Sequence, residues 1–240
     1  MSMPPDLREE VIALVRERLP RGAKLVLLSL TGSRAFGWAA PNFDYDVHGI
    51  YVKRGWWDYM HLGKPPFDIN IFELEHLIKL DVPYRHGETI LNFLNPFYVD
   101  PHFPIEEVIQ LLTKDFFPPQ NILHQIRWFE DTRSPRAALH AYRMLILPMY
   151  IFVKGKVEMN MFKAMEELGL ELEGPELCKE LYTAPYTGGR RASLSEDEYE
   201  MVRAEIWDLY KKYESAEGPA WDEGRWLSLK ARLIRTYYTA

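Results

Sequence analysis

Residues 30–37 read Leu-Thr-Gly-Ser-Arg-Ala-Phe-Gly, and residues 43–52 read Phe-Asp-Tyr-Asp-Val-His-Gly-Ile-Tyr-Val. The apolar run from Leu25 to Leu30 has the length of a buried strand, and Gly32-Ser33 then ends it and opens a short helix. After Pro41-Asn42 the chain becomes extended again. Backbone N–H groups at such a turn suit a phosphate group, so this stretch predicts a phosphate-binding turn between two strands.

Two acidic residues begin the second extended run. Asp44 and Asp46 are two positions apart, so on a strand their carboxylates point to the same face. Neighbouring carboxylates repel each other unless a cation lies between them. A pair of Mg²⁺ (or Mn²⁺) ions fits this arrangement, because these cations take oxygen ligands and leave positions for phosphate and water. The alternative interpretation is a surface turn followed by an edge strand with two solvated acids.

Gly32-Ser33, followed after about ten residues by Asp44-Tyr45-Asp46 between apolar residues, resembles the signature of the DNA polymerase β-type nucleotidyltransferases. The fuller runs look like a branch of predicted nucleotidyltransferases associated with RNA repair. The resemblance implies a small mixed β-sheet with helices, and transfer of a nucleoside monophosphate from an NTP to a hydroxyl acceptor. It also implies that Asp44 and Asp46 hold two metal ions. Gly32, Ser33 and Arg34 would bind the phosphates of the NTP. No residue that would recognise the base is identified, so the sequence does not indicate which NTP is used.

The same resemblance implies a third carboxylate, from an adjacent strand, that binds metal and accepts the proton of the attacking hydroxyl. Residues 67–72, Phe-Asp-Ile-Asn-Ile-Phe, alternate as a strand does, and Asp68 is the matching position. The rival candidate is Glu73, directly after this run. Glu88, in a predicted helix over residues 87–95, is expected at most to contact the metal-binding side chains and not the metal itself.

A second group of polar residues lies on a predicted helix in the second half of the chain. Ser134-Pro135 predicts the N-cap and first residue of that helix. Arg136, His140 and Arg143 then follow at i, i+4 and i+7 on one face, with Arg133 just before them. The resemblance implies that this face borders the cleft, where these side chains balance phosphate charge. The alternative is a solvated polar face on an otherwise buried helix.

Two other functions are compatible with parts of the sequence. Arg133 and His140 fit the loose Arg-x4–6-His pattern of the all-helical HEPN-type ribonucleases, which cleave RNA without metal. That pattern is short and common, and the Ser134 cap places Arg133 outside the helix. The protein is alternatively a nucleotide-binding regulatory module without turnover, although the presence of all three aspartates argues against simple loss of activity.

The composition excludes several classes of protein. Of the 240 residues, 47% are hydrophobic and 27% are charged, which is typical of a globular fold. The net charge of −6 gives no global basic field to recruit nucleic acid, so a polyanionic substrate depends on a local patch. A single cysteine, Cys178, excludes an intrachain disulfide framework. No signal peptide or membrane-length apolar run is recognisable, so we expect a cytoplasmic protein with no membrane partner.

We predict an α+β fold with a nucleotidyltransferase core over residues 1–100 and a helical domain over 101–240 that walls the cleft. Pro96, Pro101 and Pro104 predict a loop between these parts. The Trp56-Trp57 pair and the Gly188–Arg191 loop are interpreted as packing and as a connector, with substrate contact left open. The acceptor stays open between RNA, a protein side chain and a small molecule, and the sequence predicts no oligomeric state.

Overall fold

The computed structural model describes residues 3–55, 59–78, 87–184 and 193–239. It has the predicted α+β fold, in which every strand of the described residues lies between positions 24 and 99 and the second half is helical. The Trp56-Trp57 pair, the Gly188–Arg191 loop and the side chain of Glu88 lie outside the described part. The domain boundary near residue 100 stays a prediction.

The sheet is mixed, as the resemblance implies. Its strands are β1 (Lys24–Leu30), β2 (Tyr45–Val52), β3 (Met60–Lys64), β4 (Phe67–Glu73) and β5 (Pro96–Val99). They lie in the order β3-β4-β2-β1-β5. The central strands β2 and β4 run parallel, with Asp46 opposite Asp68, and the other neighbours are antiparallel. The parallel pair therefore brings the beginnings of two acid-bearing strands to the same edge of the sheet.

Helices flank the sheet and then make up the rest of the chain. The helices before residue 100 are α1 (Pro5–Arg18), α2 (Gly32–Phe36), α3 (Leu74–Ile78) and α4 (Gly87–Leu91). Those after it are α5 (Ile105–Gln110), α6 (Pro119–Thr132), α7 (Pro135–Lys154), α8 (Met161–Glu167), α9 (Gly174–Thr183), α10 (Glu196–Ser215) and α11 (Glu223–Tyr238). Of the helices in the described ranges, none combines the length and apolarity needed to cross a bilayer.

The central helix of the second half is α7, which packs against α6, α8, α9 and α10. Its N-terminus forms as predicted, because the Ser134 hydroxyl accepts the Ala137 N–H at 3.2 Å and Pro135 is the first helical residue. Nearly every residue from Ala137 to Ile151 is buried, and the helix continues through Pro148. The polar groups that α7 can offer to a cleft are therefore concentrated in its first turns.

The two edge strands differ from the sequence prediction. Proline predicts a loop at residues 96–104, yet Pro96 begins β5, where the missing N–H is tolerated because it is the first residue of an edge strand. The other edge strand, β3, was not predicted from sequence. Only Met60 and Leu62 of this strand alternate as apolar residues before Gly63, so its periodicity is too short to stand out.

Candidate active site

The Gly-Ser turn is packed directly against the first acid-bearing strand. The Thr31 N–H donates to the Asp46 carbonyl at 2.8 Å, and Gly32 follows with a φ of +65°. A Cβ at Gly32 would overlap the carboxylate of Asp46. Glycine is therefore required here both by the backbone conformation and by the closeness of Asp46. The sequence predicted the turn, and the structure shows that it abuts the acids.

The three aspartates singled out by sequence lie together at the end of the sheet where β2 and β4 begin. We call this group, Asp44, Asp46 and Asp68, the acidic edge. Asp44 directly precedes β2 and is exposed, while Asp46 lies in β2 opposite Asp68 of β4. The pKa of Asp46 is raised to about 6, first by burial and then by the negative charges of Asp68 and Asp44, which together outweigh the opposing charges of Arg136 and Arg34. The carboxylates therefore repel one another across this edge.

The chemistry of this donor set fits a divalent cation. Carboxylate oxygens are the ligands that Mg²⁺ and Mn²⁺ prefer, and a bound cation would relieve the repulsion at Asp46. Across the four described ranges, however, no three His, Cys, Asp or Glu side chains are gathered as a ready metal site. The type and position of these residues therefore suit a divalent cation, but their side chains do not form a complete coordination site.

The two candidates for the third carboxylate lie at opposite ends of β4. Asp68 is partly exposed beside Asp46, and its Oδ1 atom lies 2.7 Å from His61 Nε2. Glu73 is buried, accepts the Tyr238 hydroxyl at 2.6 Å and accepts two backbone N–H groups. It is five residues further along the strand, so it also points to the other face. Glu73 therefore serves the packing of the C-terminal helix, whereas Asp68 faces the other acids.

Arg34 holds the loop that brings the acids to the turn. Its guanidinium donates to the carbonyl groups of Pro41 at 2.8 Å, Phe43 at 3.0 Å and Asp44 at 3.2 Å. The same group lies 4.0 Å from the centre of the Tyr45 ring. These carbonyl contacts give Arg34 a structural role in the loop, and its predicted contact with phosphate stays a prediction.

Helix α7 brings positive charge to the acidic edge. Arg136 is exposed in its first turn, and its charge lowers the pKa of Asp46, opposing the carboxylates. Arg143 is buried, and its guanidinium lies 4.6 Å from the centre of the Phe36 ring in α2. Arg136 therefore faces the acidic edge, and Arg143 contacts the short helix that follows the Gly-Ser turn.

His140 is not a cation at neutral pH. Burial, with the charges of Arg143 and Arg136, lowers the pKa of its imidazole to about 3. The ring packs between two tryptophans, with centroids 5.9 Å from Trp38 and 5.5 Å from Trp128. Any contribution of His140 to phosphate binding is therefore a hydrogen bond from a neutral ring, whereas Arg136 and Arg143 supply the charge.

Arg133 is directed towards α10, away from this face. It adopts a left-handed conformation with a φ of +50°, ends α6, and its Nη1 atom donates to Glu196 at 2.5 Å. Its guanidinium also lies 4.3 Å from the centre of the Tyr199 ring. The Arg133 and His140 pair of the ribonuclease interpretation is thus engaged separately, with Arg133 in an ion pair and His140 between aromatic rings.

Sequence reasoning missed a group of side chains that continues the acidic face along the sheet. His48 and Asn70 are opposite each other, one step beyond Asp46 and Asp68, and Phe72 follows on the same face. Tyr59 completes the group, because its ring centroid lies 5.2 Å from that of Phe72. The alternation of residues 44, 46 and 48 with 68, 70 and 72 carries the signal that could have identified these positions.

One comparison with known proteins, that with a protein family, agrees with the motif. A family model described as "RNA repair pathway DNA polymerase beta family" matches residues 6–84. No curated protein matches the chain. Among solved structures, a nucleotidyltransferase-like protein from Exiguobacterium sibiricum 255-15 is similar with a TM-score of 0.30 and 11% identity, over 96% of this chain and 88% of that one. The family match contains the Gly-Ser turn and Asp44, Asp46 and Asp68. The resemblance predicted from the motif is therefore confirmed: residues 6–84 are similar to the RNA repair branch of the DNA polymerase β nucleotidyltransferases.

Proposed function

We propose that this protein is a metal-dependent nucleotidyltransferase that moves a nucleoside monophosphate from an NTP to a hydroxyl acceptor and releases pyrophosphate. One observation carries the proposal. The Gly32 turn lies against the carboxylate of Asp46, while the parallel register sets Asp46 beside Asp68. A turn that suits phosphate thus lies beside a group of carboxylate oxygens, which supports transfer from a triphosphate.

Each side chain has a distinct role in this proposal. The turn at Gly32 and Ser33 binds the terminal phosphates, and Asp44, Asp46 and Asp68 hold Mg²⁺ or Mn²⁺. When bound, such ions neutralise phosphate charge and favour ionisation of the attacking hydroxyl. The hydroxyl oxygen forms a bond to the α-phosphorus, the bond to the bridging oxygen breaks, and pyrophosphate leaves with that electron pair. Asp68 accepts the proton of the hydroxyl.

The helical half of the chain contributes positive charge to the proposed site. The triphosphate brings several negative charges to an edge where carboxylates already repel. Arg136 faces this edge, and Arg143 lies against α2, so both can offset charge that metal ions leave uncovered. Catalysis then consists mainly of positioning and electrostatic stabilisation, as in other phosphoryl transfers.

The test is transfer of label from each α-labelled NTP to RNA in the presence of Mg²⁺ or Mn²⁺. Asp44→Asn removes one carboxylate from the exposed start of the acidic edge, and we expect it to abolish transfer. The matched control is Asp208→Asn, the same substitution at an exposed residue of α10 that pairs with Lys211. Transfer should be unchanged in this control.

The same incubation separates the two other functions. RNA cleavage in EDTA that depends on His140 would replace the transferase with a HEPN-type ribonuclease. Nucleotide binding without transfer or cleavage would identify a regulatory module. Transfer that survives Asp44→Asn would contradict the proposed roles of the aspartates.

A further inference from the structure

The order of groups across the sheet determines the side from which an acceptor enters. β1, with the Gly32-Ser33 turn at its end, is followed by β2 with Asp46, then β4 with Asp68, and then the edge strand β3. In a phosphoryl transfer the attacking and leaving oxygens are roughly in line, on opposite sides of the phosphorus. If pyrophosphate leaves at the turn, as the proposed function states, the acceptor hydroxyl approaches from the side of β4 and β3.

The edge strand leaves an opening at this point. Gly63 is the residue of β3 that pairs with Asp68, and it adds no side chain there, so His61 is the β3 residue whose side chain reaches this carboxylate. A Cβ placed at Gly63 would meet only the far end of the His61 ring, at 3.5 Å from Cε1. The hydrogen bond from His61 meanwhile fixes one oxygen of Asp68. An incoming group can therefore approach Asp68 over Gly63, alongside the half-exposed ring of His61.

Beside this opening lies an aromatic shelf formed by Tyr59, Phe72 and His48. Tyr59 is 52% exposed, and its hydroxyl donates to the side-chain oxygen of Asn70. The ring centroids of His48 and Phe72 are 5.7 Å apart. Phe93 is buried and supports both rings, with centroids 6.0 Å from each. These rings therefore pack together, and Tyr59 is the exposed member of the shelf.

Polar groups also belong to the shelf, one able to donate to a ligand and one buried. Asn70 uses its oxygen for Tyr59, which leaves its amide nitrogen as a donor. Nδ1 of His48 is buried and has no hydrogen-bond partner within the part of the chain that the structure describes. Asn70 is two residues from Asp68 on one strand, a separation of about 7 Å, which is the scale of one nucleoside.

We propose that the aromatic shelf binds the terminal base of a single-stranded RNA acceptor and thereby presents its ribose hydroxyl to Asp68. Aromatic rings stack on any base, and polar neighbours such as Asn70 bind base edges or a 2′-hydroxyl. Such a site attracts nucleic acid without a basic surface, which agrees with the net charge of −6. The proposal rests on the proposed function, and the RNA repair description of the matched family is consistent with it.

Variants at Tyr59 test the shelf without disturbing the core, because this side chain is largely exposed. The probe is a short oligouridylate RNA with a free 3′-hydroxyl, used both as acceptor and, with a fluorescent 5′ label, for direct binding. Tyr59→Ala should raise the KM for RNA and weaken RNA binding about 5- to 100-fold, the range for loss of one base–aromatic stack. Tyr59→Phe keeps the ring and should stay within about twofold. Leu227→Ala, at a residue 54% exposed on α11, is the matched control and should change neither quantity.

A modified acceptor shows whether the base itself contacts Tyr59. The same oligouridylate with an abasic 3′-terminal nucleotide should be a poorer acceptor for the wild-type protein by a similar factor. With Tyr59→Ala, the terminal base should no longer make a difference, because both changes remove the same contact. Gly63→Val, which fills the opening, should lower transfer to RNA while binding of a non-hydrolysable NTP stays unchanged.

Failure of this inference can be distinguished from failure of the proposed function. If label transfer to RNA occurs but Tyr59→Ala behaves as Leu227→Ala does, the shelf is not the acceptor site. Efficient labelling of a protein or a small hydroxyl compound in place of RNA would overturn the RNA acceptor while retaining the transferase. If the wild-type protein transfers no label at all, the binding comparison between Tyr59→Ala and Leu227→Ala still decides whether the shelf binds RNA.

Discussion

The two ends of the sheet treat carboxylates in opposite ways. At the end where β1 begins, Asp100 is buried and accepts hydrogen bonds from Lys24 at 2.8 Å, the Tyr237 hydroxyl at 2.9 Å and the His102 N–H at 3.1 Å. Burial alone raises the pKa of Asp100, but these bonds outweigh it and hold the pKa below its usual value. At the other end Asp46 is half-buried; burial raises its pKa, and its neighbours Asp68 and Asp44 raise it further.

This difference separates structural acids from acids available for function. The last turn of α11 supplies partners to the structural end, since Tyr237 binds Asp100 and Tyr238 binds Glu73. At the acidic edge Asp68 has His61 as a partner, but at Asp46 the opposing charges of Arg136 and Arg34 do not outweigh burial and the repulsion from Asp68 and Asp44. A carboxylate that is hydrogen-bonded by other residues of the chain stabilises the fold. A carboxylate that is repelled by its neighbours is typical of a site that binds a cation or another ligand.

The largest expected effect separates the two ends by activity. Asp46→Asn should lower label transfer by about 10³-fold or more, because it removes a proposed metal ligand and a negative charge from the acidic edge. Asp100→Asn changes a residue at the far end of the sheet and should stay within about threefold in the folded protein. Initial rates with saturating NTP measure both. Comparable losses in the two variants would contradict the division between the ends.

Stability should show the reverse order. Asp100→Asn removes a charge that accepts three hydrogen bonds, and we expect a loss of about 2 kcal/mol in the free energy of unfolding. Asp46→Asn relieves repulsion and should raise this free energy by up to about 1 kcal/mol when metal is removed with EDTA. Urea unfolding at neutral pH measures both changes. Asp208→Asn, at an exposed site, is the reference and should shift stability by less than about 0.5 kcal/mol. Destabilisation by Asp46→Asn would mean that its carboxylate is satisfied within the fold.

A smaller effect is expected for a single bond at the structural end. Tyr238→Phe removes the hydroxyl that donates to Glu73 at 2.6 Å, while the ring keeps its packing. Glu73 retains its two backbone donors, so the expected loss is about 1 kcal/mol. Thermal unfolding should detect it as a fall of roughly 2–4 °C in Tm for a chain of this size. Transfer activity should be unaffected, and a strong loss of activity would assign Glu73 to the active site after all.

Much of the acidic edge could be predicted from the sequence because its signals are local. The glycine turn, the two-residue spacing of Asp44 and Asp46, and the alternation around Asp68 all lie within runs of a few residues. Their juxtaposition follows from one parallel pairing. The family resemblance implied that the two strands are adjacent but did not give their relative direction. The Ser134 cap was likewise readable, since an N-cap requires only neighbouring residues.

What could not be predicted depends on contacts between distant residues. Nothing near Glu73 in sequence indicates that Tyr238 binds it, so Glu73 remained a rival to Asp68. The spacing of His140 predicts a charge-balancing side chain, but burial, followed by the charges of Arg143 and Arg136, lowers its pKa and keeps it neutral. Pairing with β1 similarly creates strand β5 from a proline-containing segment, because an edge position tolerates what a central strand would not.

The last comparison between the two ends is their pH dependence, measured on unfolding in EDTA. The pKa of Asp46 is raised from 3.8 to about 6, so its ionisation lowers the free energy of unfolding. This destabilisation is absent below pH 3.8 and reaches its full size above pH 6. The advantage of Asp46→Asn over wild type should therefore grow between about pH 4 and 6 and then stay constant. The pKa of Asp100 lies below 3.8, so its stabilisation is complete above that value and is lost as the pH falls further. The cost of Asp100→Asn should accordingly be constant at pH 5 to 8 and shrink only below about pH 4. If the two variants instead followed wild type in parallel across this range, neither carboxylate would be perturbed, and the contrast between the ends would be lost.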